Sequence, residues 1–481
     1  MPTTYYSMIA SDKVQSTKTF EQRNPANLSE VTGIWPALSR EQTCSAVEAA
    51  VCAFPAWSAL SVFARAEHMK KAHREMIDRR EEFARAITLE NGKTLKEGFG
   101  EVDSAIREME YQINEGLRLC GKTVPSAVEG VLAYETRVPL GAVAVIAPWN
   151  FPLNVPVRKI VPALMAGNTC VFKPASLTPL IGLKFTELFY NAGLTHGELN
   201  FVTGSGGEVG DTLVTHPDIH AVSFTGSTSV GRRIHEQAAK TLAKTQLEMG
   251  GKNPAVVLED TDIEAAAKSI VTATFACAGQ WCTATSRVIA VKPIAERLKE
   301  LILREVSKIT VGPGLDTAAQ MGPVCGAEQL RTISGYIESG IREGATLAAG
   351  GAALGGEFAQ GCFIPPTVFT NVTPDMTIAR EEIFGPVLSI MEVKDFDEAL
   401  AVANDVEFGL ASSIYTNDLA KALTFLEKSD AGVTHVNLAT AHKEPQMSFG
   451  GVKHSGFGIP EAGHTGLEFF TEHKVAYIKY R

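Results

Sequence analysis

Residues 141–173 read GAVAVIAPWNFPLNVPVRKIVPALMAGNTCVFK. A short apolar run at 142–147 is followed by a helically spaced run at 154–166 and by a second short apolar run at 169–173. Short β-branched runs bounded by turn residues favour buried strands, and the longer run between them favours a helix. The stretch therefore predicts a strand, a crossover helix and a parallel strand, in a sheet that is covered on both faces.

The same alternation continues on both sides of this stretch and predicts an α/β fold. Before it we expect helices at 63–90, ended by Asn91-Gly92, and at 101–119. After it the predicted elements are helix 178–192, strand 199–202, helix 206–215, strand 220–224, helix 228–240, strand 255–258 and helix 262–277, with further alternation to about 436. Ligands of such sheets bind at the carboxyl ends of the strands, so loops 148–152, 173–176 and 225–231 are the places to examine.

The composition is that of a folded chain with several domains. It has 481 residues, of which 45% are hydrophobic and 20% charged, and its net charge of −10 argues against a general binder of nucleic acid or membrane surfaces. No apolar run reaches the roughly 18 residues of a membrane span, and the start does not resemble a signal peptide. The eight cysteines stand singly, without a C-x-x-C pair, which favours reduced thiols over disulfides or zinc ligands. We expect a cytoplasmic protein without a metal site.

Two glycine-rich segments are candidate phosphate-binding turns. Residues 204–210 nearly match G-x-G-x-x-G, but Val209 replaces the third glycine, and an ordinary glycine-rich turn is the better interpretation. Residues 224–231 follow a predicted strand and open a predicted helix, so Gly226 would let a ligand approach the backbone and Ser227 would add a hydroxyl. An N-capped helix without a ligand explains the second segment equally well.

Three residues have side chains suited to catalysis, and each has a structural alternative. Cys282 ends a helical run among small residues, where it is either a nucleophile or a small buried side chain. Glu248 precedes Gly250-Gly251 and is a general base if its surroundings are dry, or a solvated carboxylate otherwise. Asn150 lies in a stiff aromatic turn between two prolines, which either is an aromatic packing turn or presents the Asn150 amide as a donor for a negative oxygen.

Seven ordered motifs together resemble the aldehyde dehydrogenase superfamily over nearly the whole chain. They are PWNFP at 148–152, KPAS at 173–176, TGSTSVG at 225–231, LEMGG at 247–251, GQWC at 279–282, EEIFGP at 381–386 and FGGVKHSG at 449–456. The resemblance implies a Rossmann-type cofactor domain (1–116 and 140–250), an α/β catalytic domain (251–453) and a β-strand oligomerisation arm (117–139 and 454–481). It also implies a homodimer or homotetramer.

The resemblance implies the oxidation of an aldehyde to a carboxylic acid through a cysteine thiohemiacetal and thioester, with NAD or NADP as cofactor. Cys282 would be the nucleophile, Asn150 and the Cys282 N–H the oxyanion hole, and Glu248 the base that activates water; Lys173 is the fourth expected catalytic residue. The expected cofactor-binding residues are Pro148, Trp149, Lys173, Ser176, Gly206, Gly210, Phe224, Gly226, Ser227, Val230, Glu382 and Phe384.

The choice of cofactor depends on Ser176. Relatives that are strict for NAD often carry glutamate at this position, where a carboxylate repels the 2′-phosphate of NADP. Ser176 lacks that charge and Lys173 can pair with a phosphate, so NADP is slightly favoured, although Ser176 could equally bind a ribose hydroxyl of NAD.

The expected substrate is a semialdehyde with a carboxylate at its far end. Arg158 resembles the arginine that binds this carboxylate in semialdehyde dehydrogenases, with Phe151 and Phe449 as further substrate contacts; a surface or interdomain ion pair is the alternative role for Arg158. Succinate semialdehyde enzymes carry a second arginine where this chain has Ala276, whereas residues 282–288 resemble the 2-oxoglutarate semialdehyde branch. His442 or Lys443 could supply the second cation, and a neutral aromatic or aliphatic aldehyde is the alternative substrate.

Two other classes of function are compatible with the fold. An acylating relative would pass the thioester to coenzyme A, but the presence of Glu248 argues for hydrolysis. A non-catalytic protein would tolerate loss of Cys282, Glu248 or Asn150, and all three are present.

Overall fold

The computed structural model describes residues 2–481, in which strands and helices alternate along most of the chain. The strands are β1 Thr3–Thr4, β2 Ser7–Ile9, β3 Asp12–Val14, β4 Thr19–Asn24, β5 Asn27–Pro36, β6 Lys122–Pro125, β7 Val131–Pro139, β8 Ala142–Ile146, β9 Thr169–Lys173, β10 Leu199–Phe201, β11 Ile219–Thr225, β12 Lys244–Glu248, β13 Asn253–Val257, β14 Thr285–Val291, β15 Thr346–Ala349, β16 Thr367–Thr370, β17 Val387–Val393, β18 Phe408–Gly409, β19 Ala411–Tyr415, β20 Val433–Val436, β21 Val452–Lys453, β22 Gly456–Phe457 and β23 Thr471–Lys479.

The helices lie mostly in the crossovers between these strands. They are α1 Arg40–Ala59, α2 Val62–Asp78, α3 Arg80–Asn91, α4 Leu95–Gly116, α5 Asn154–Ala166, α6 Pro179–Asn191, α7 Asp211–Thr215, α8 Thr228–Ala238, α9 Ile263–Phe275, α10 Lys292–Val306, α11 Ala327–Arg342, α12 Thr377–Arg380, α13 Phe396–Asn404, α14 Leu419–Lys428 and α15 Gly463–Phe469. No single helix of residues 2–481 is long and apolar enough to span a membrane; α1 and α2 pass that test only as a pair bent by 117°.

The first large sheet has eight strands in the order β22-β12-β11-β8-β9-β10-β2-β3, with β8 to β12 parallel. Its central strands are buried on both faces, because Val143 and Val145 pack into one apolar core and Ala142 and Ala144 into another. The chain runs outward from β8 to β10 and then returns to β11 on the other side of β8. This reversal creates a crevice beyond the carboxyl ends of β8 and β11, where parallel sheets bind ligands.

The second large sheet has seven strands in the order β15-β16-β17-β14-β13-β19-β20. All neighbouring pairs are parallel except β15 and β16. Glu248 ends β12 of the first sheet, and Cys282 lies just before β14 of the second. The candidate site therefore lies between the carboxyl edge of the first sheet and the amino edge of the second.

A third sheet, of order β23-β7-β6, stands apart from these two. The chain end pairs antiparallel with β7 from Thr471↔Pro139 to Lys479↔Val131. The segment before β23 does not belong to this sheet, since β22 pairs with β12 in the first large sheet. The domain and arm limits stated above stay predictions.

Most predicted elements from 142 to 258 appear within a few residues of their expected limits. Two predicted helices, at 63–90 and at 206–215, differ from what was expected. The single helix at 63–90 is wrong: Arg79 leaves helical geometry (φ −98°, ψ 17°) and separates α2 from α3, and its guanidinium binds Glu75 and Glu82 across the break. The helix at 206–215 begins as a π-helical turn, Gly206–Gly210, before α7. The five strands of residues 3–36 were not predicted.

The start of α4 fixes the loop that follows β8. Lys93 is buried, and its Nζ lies 2.7 Å from Glu101 Oε2 and donates to the Asn150 carbonyl oxygen at 2.5 Å. Glu101 Oε1 accepts the N–H groups of Leu153 and Asn154 at 2.9 and 3.2 Å. Charge-assisted hydrogen bonds from one buried ion pair thus hold the backbone on both sides of the loop.

The same helix also holds the segment before Cys282. Glu97 Oε1 accepts the Cys277 N–H at 2.6 Å. Cys277 and Ala278 both have φ of +53°, a left-handed conformation that is strained for side-chain-bearing residues. The α4 carboxylates therefore fix the two loops that meet at the candidate site.

We expect Lys93→Met to lower the free energy of unfolding by about 3–5 kcal/mol, because it leaves the buried Glu101 carboxylate without its cation. Chemical denaturation measures this, and hydrogen exchange of residues 148–154 should rise. Lys70→Met is the matched control: its partner Glu67 is exposed, so the change in the free energy of unfolding should be much smaller than for Lys93→Met. Equal effects of the two variants would contradict the clamping role of Lys93.

Candidate active site

Cys282 lies at the meeting point of two cavities. Its side chain is half-buried and packs beside Leu410 and Phe449. Its backbone is fixed, because Asn253 Nδ2 donates to the carbonyl oxygens of Cys282 and Ala284, both at 2.8 Å. The thiol therefore faces both cavities from a rigid backbone.

Asn150 lines the same two cavities as Cys282. Its Nδ2 donates to the Gln280 carbonyl oxygen at 3.2 Å, and its backbone is held by Lys93. An amide nitrogen carries two protons, so one remains for an oxygen in the cavity. A thiol and a positioned donor in one space can form and stabilise a tetrahedral adduct of a carbonyl group.

The thiol of Cys282 is not ionised by its surroundings alone. Desolvation raises its pKa to about 12, the Arg158 guanidinium acts in the opposite direction, and nearby carboxylates such as Glu382 reinforce the rise. The thiolate is the nucleophilic form of cysteine. The site therefore needs a group that accepts the thiol proton.

Glu248, which lines the small cavity with Cys282, is a candidate for this group. Its side chain is buried, and burial raises the pKa well above the usual range, reinforced by the charge of Glu461. Glu248 Oε2 has no hydrogen-bond partner among the described residues. A desolvated carboxyl group with a free oxygen suits general acid–base chemistry.

A cluster of buried charges lies behind these groups. Arg158 and Lys159 are neighbours on α5, and both reach Glu461, at 3.0 Å from Arg158 Nη1 and 2.7 Å from Lys159 Nζ. Arg158 Nε lies 3.6 Å from Glu108. Burial acts to raise the pKa of Glu461, but the two cations outweigh it and lower that pKa. Arg158 is therefore part of a buried ion network and not of a surface ion pair.

Arg158 also lines the cavity that contains Cys282, together with the other two expected substrate residues, Phe151 and Phe449. This cavity holds about 30 Å³ and adjoins one of about 520 Å³ that shares Arg158, Lys443 and Phe449. The Phe449 ring lies 4.9 Å from the Arg158 guanidinium. Both roles proposed for Arg158 are thus compatible with its position.

The second cavity beside Cys282 holds about 200 Å³ and contains half of the expected cofactor-binding residues. They are Pro148, Trp149, Gly226, Ser227, Glu382 and Phe384. Trp149 and Phe384 meet edge to face, with ring centroids 5.4 Å apart. The remaining six expected residues do not line this cavity.

Four of those six cluster around the carboxyl end of β9. Lys173 Nζ donates to the Pro174 carbonyl oxygen at 3.2 Å, and Ser176 Oγ donates to the Gly204 carbonyl oxygen at 3.3 Å. The Lys173 side chain passes over Gly210, in the π-helical turn that begins at Gly206. Burial lowers the pKa of Lys173 to about 8.

The last two, Phe224 and Val230, pack into the apolar core beneath this face of the first sheet. The Phe224 ring lies so close to Gly226 that any side chain at 226 would overlap it. These two residues shape the floor of the site.

The 200 Å³ cavity fits a phosphate-bearing cofactor. Ser227 caps α8 without a side-chain hydrogen bond to its first turn, which leaves the N–H groups of that turn free for an anion. Glu382 is a half-buried acceptor beside Gly250 and Gly251; desolvation raises its pKa to about 7, and the Gly251 N–H donates to it at 3.0 Å. The residues present can therefore bind both a phosphate and a hydroxyl-bearing sugar.

Sequence reasoning missed three residues of this site. Lys159 and Glu461 form the ion network, and Gln329 Nε2 donates to the Phe384 carbonyl oxygen at 2.7 Å, which supports the left-handed Phe384 (φ +55°). Two adjacent cations in the otherwise apolar run 154–166 were an available signal, because buried charges need partners. Cys277, five residues before Cys282, is a separate buried free thiol.

The family model described as Aldehyde dehydrogenase family matches residues 12–476. The alpha-ketoglutaric semialdehyde dehydrogenase of Bacillus subtilis is 43% identical over 99% of this chain and 98% of its own, and the 2,5-dioxopentanoate dehydrogenase of Saccharolobus solfataricus is 41% identical over 94% and 95%. An Escherichia coli NADP-dependent enzyme superposes with a TM-score of 0.96 at 34% identity, covering 99% and 98%.

These matches confirm the predicted fold and the predicted class of enzyme. Together they cover nearly the whole chain, including both large sheets and every motif that carried the resemblance. The chain belongs to the aldehyde dehydrogenase family and is an aldehyde dehydrogenase that uses NAD or NADP.

Proposed function

We propose that this enzyme oxidises a semialdehyde that carries a carboxylate at its other end, such as 2-oxoglutarate semialdehyde or succinate semialdehyde. The observation that carries this proposal is the buried guanidinium of Arg158 in the same small cavity as the Cys282 thiol. A guanidinium fork suits a carboxylate, which would direct the aldehyde group toward sulfur. The names of the two semialdehyde-oxidising relatives support the same class.

The first chemical step is addition of Cys282 Sγ to the aldehyde carbon. Glu248, once ionised, is the proposed acceptor of the thiol proton, and Arg158 favours the thiolate. Asn150 Nδ2 and the Cys282 N–H donate to the oxygen of the resulting thiohemiacetal. Bound NAD or NADP supplies a hydride acceptor, and the oxidised adduct is a thioester on Cys282.

The second step is hydrolysis of that thioester. Glu248, after it has released the thiol proton to solvent, takes a proton from the attacking water. The carbon–sulfur bond then breaks, the Cys282 sulfur leaves as a thiolate that Glu248 can reprotonate, and the carboxylic acid is released. The same two donors at Asn150 and Cys282 stabilise this second tetrahedral oxygen. Each step thus uses one nucleophile, one base and one pair of donors.

The proposed cofactor site spans both groups of expected residues. Ser227 and the start of α8 would hold the pyrophosphate, Glu382 the nicotinamide ribose, and Lys173 and Ser176 the adenosine ribose. A slight preference for NADP follows from the absence of a carboxylate at position 176, with the Lys173 ammonium nearby. Lys173 is also a proposed catalytic residue, and only the resemblance to the family supports this role.

A neutral aldehyde is the alternative substrate. The observation that favours it is the aromatic lining of the small cavity, where the ring centroids of Phe151 and Trp281 are 5.2 Å apart and Phe449 lines the same space. Apolar walls bind uncharged chains and rings.

Nicotinamide reduction by the purified enzyme tests the substrate class and the cofactor together. We expect kcat/KM for succinate and 2-oxoglutarate semialdehydes to exceed that for benzaldehyde at least about tenfold, the gain of a charge-assisted contact. NADP and NAD are compared separately, and NADP should be at least as good. Cys282→Ala should abolish turnover of every aldehyde. A preference for benzaldehyde would contradict the semialdehyde proposal.

The raised pKa of Glu248 predicts a rise of kcat with pH where thioester hydrolysis limits turnover. The carboxyl group stays protonated above its ordinary range, so its basic form accumulates only as pH increases toward that raised pKa. Glu248→Gln should lower kcat at least about 100-fold and remove this rise. Measurements of kcat from acid to alkaline pH test this, with the exposed Glu296→Gln as control. An unchanged pH profile in Glu248→Gln would sink the assignment.

The enzyme acts on small-molecule aldehydes, and we propose that it does so as a homodimer or homotetramer joined through the arm. The outer edge of β23 is unpaired, and the arm exposes Val475, Tyr477 and Ile478. Unpaired edges with exposed apolar side chains favour pairing with another chain. We also propose a cytoplasmic location, which the eight free thiols support.

We expect Val475→Asp with Tyr477→Asp to convert the enzyme to a species of the monomer mass, 51.5 kDa. The reason is that two charges on one face of β23 would have to be buried in the interface. Sedimentation equilibrium measures the mass, and Glu300→Lys, which is exposed on α10, serves as control. A monomeric wild type, or a double variant of unchanged mass, would overturn the arm as the interface.

A further inference from the structure

We infer that Lys443 is the second cation that binds the far carboxylate of the substrate, together with Arg158. This inference deepens the proposed function and rests on it. Lys443 lies in the loop that follows β20 and lines both the small cavity at Cys282 and the larger one outside it. The ligand class is an aldehyde with a carboxylate at the opposite end of a short chain.

The backbone that carries Lys443 is fixed. His435, on β20, is buried, and its ring nitrogens lie 3.0 Å from the Ser412 carbonyl oxygen and 2.9 Å from the His442 carbonyl oxygen. The His442 N–H donates to the Ala439 carbonyl oxygen at 3.1 Å. The residue before Lys443 is therefore tied to the second large sheet, so the lysine starts from a defined point.

The end of the Lys443 side chain meets Arg158 at one buried atom. Asn154 opens α5, and with its amide oriented so that the oxygen faces its donors, Oδ1 accepts from Lys443 Nζ at 2.9 Å and from Arg158 Nη2 at 3.3 Å. Two cations within hydrogen-bond distance of one neutral oxygen repel each other and are only partly compensated. A carboxylate at this point would satisfy both donors and supply the missing negative charge.

The other charges nearby leave this pair of donors free. Arg158 uses Nη1 for Glu461, and its Nε faces Glu108, so Nη2 is the part of the guanidinium left for a ligand. Lys443 forms no salt bridge with any carboxylate of residues 2–481. His442, the other candidate for the second cation, is exposed and faces Glu444 at 3.8 Å, and it lines only the outer cavity. The geometry therefore favours Lys443 over His442.

The path from the cations to the thiol suits the rest of such a substrate. The small cavity joins Lys443 and Arg158 to Cys282 between the rings of Phe151 and Phe449. Aromatic walls suit a methylene chain, whereas the charged end suits the carboxylate. A substrate held at its carboxylate would present its aldehyde carbon to sulfur.

Comparison of succinate semialdehyde with butanal, a neutral aldehyde of the same chain length, tests this role. We expect Lys443→Met to lower the ratio of their kcat/KM values about 10- to 100-fold, mostly through KM for the semialdehyde, as one charge-assisted hydrogen bond predicts. Inhibition by succinate should weaken to a similar extent. Lys443→Arg should keep most of the preference, and Lys394→Met, an exposed lysine at a distance, should change nothing.

The outcomes separate the inference from the proposal on which it depends. A wild-type enzyme without preference for the semialdehyde would overturn the proposed substrate class. A wild-type preference that survives in Lys443→Met would overturn only the role of Lys443. An equal loss on both aldehydes would also overturn it, because a loss of folding or of positioning does not distinguish a charged substrate from a neutral one.

Discussion

The active site depends on the burial of Arg158 and Lys159 in the crossover helix α5. Apart from Asn154 at its start, that helix is otherwise apolar, and it is buried along its whole length. Two cations in such a helix are stable only if carboxylates accompany them. Glu461 contacts both cations, and Glu108 lies beside Arg158. This network ties together three segments that are far apart in sequence.

The network also sets the chemistry of the two reacting groups. Desolvation and the charge of Glu461 raise the pKa of Glu248, while Arg158 opposes the rise in the pKa of Cys282. The same guanidinium is thus a structural partner, an electrostatic influence on the thiol and a wall of the substrate cavity. Because it is fixed by carboxylates, it cannot move to accommodate different substrates.

Most of the fold could be predicted from the sequence because the patterns that specify its helices and strands lie within short stretches. Residues 154–166 were predicted as a helix and form one with those limits, since alternating apolar runs and a terminal glycine specify them within a short stretch. The strands of residues 3–36 lack such runs and are held by pairing with each other and with the edge of the first sheet, as in β2 with β10. The break at Arg79 depends on side-chain pairing around an otherwise continuous helical pattern.

The sequence predicts the candidate reacting residues but not the residues that hold them in place. Cys282, Glu248 and Asn150 stand in recognisable motifs, whereas Lys93 reaches Asn150 across 57 residues and Arg158 reaches Glu461 across 303. Such pairings arise only once the chain has folded, and no periodic pattern in the sequence indicates them. They become expected only when each buried charge is required to have a partner.

In the proposed site, recognition of the substrate carboxylate is shared between Arg158, which is fixed in α5, and Lys443, which lies on a loop. Arg158 is held in α5 by Glu461 and Glu108. Without it the buried Glu108 would lose its cation and Glu461 would keep only Lys159, so its removal disturbs the core as well as the proposed substrate cavity. Lys443 lies on a loop, and its side chain contacts the neutral Asn154 Oδ1. Within residues 2–481 it pairs with no carboxylate, so its loss would leave no buried negative charge unpaired. Lys443 can therefore recognise the charge of the substrate, whereas its replacement should change the free energy of unfolding little. This separation is the physical reason to seek the specificity of the enzyme in the loop after β20 and not in the helix.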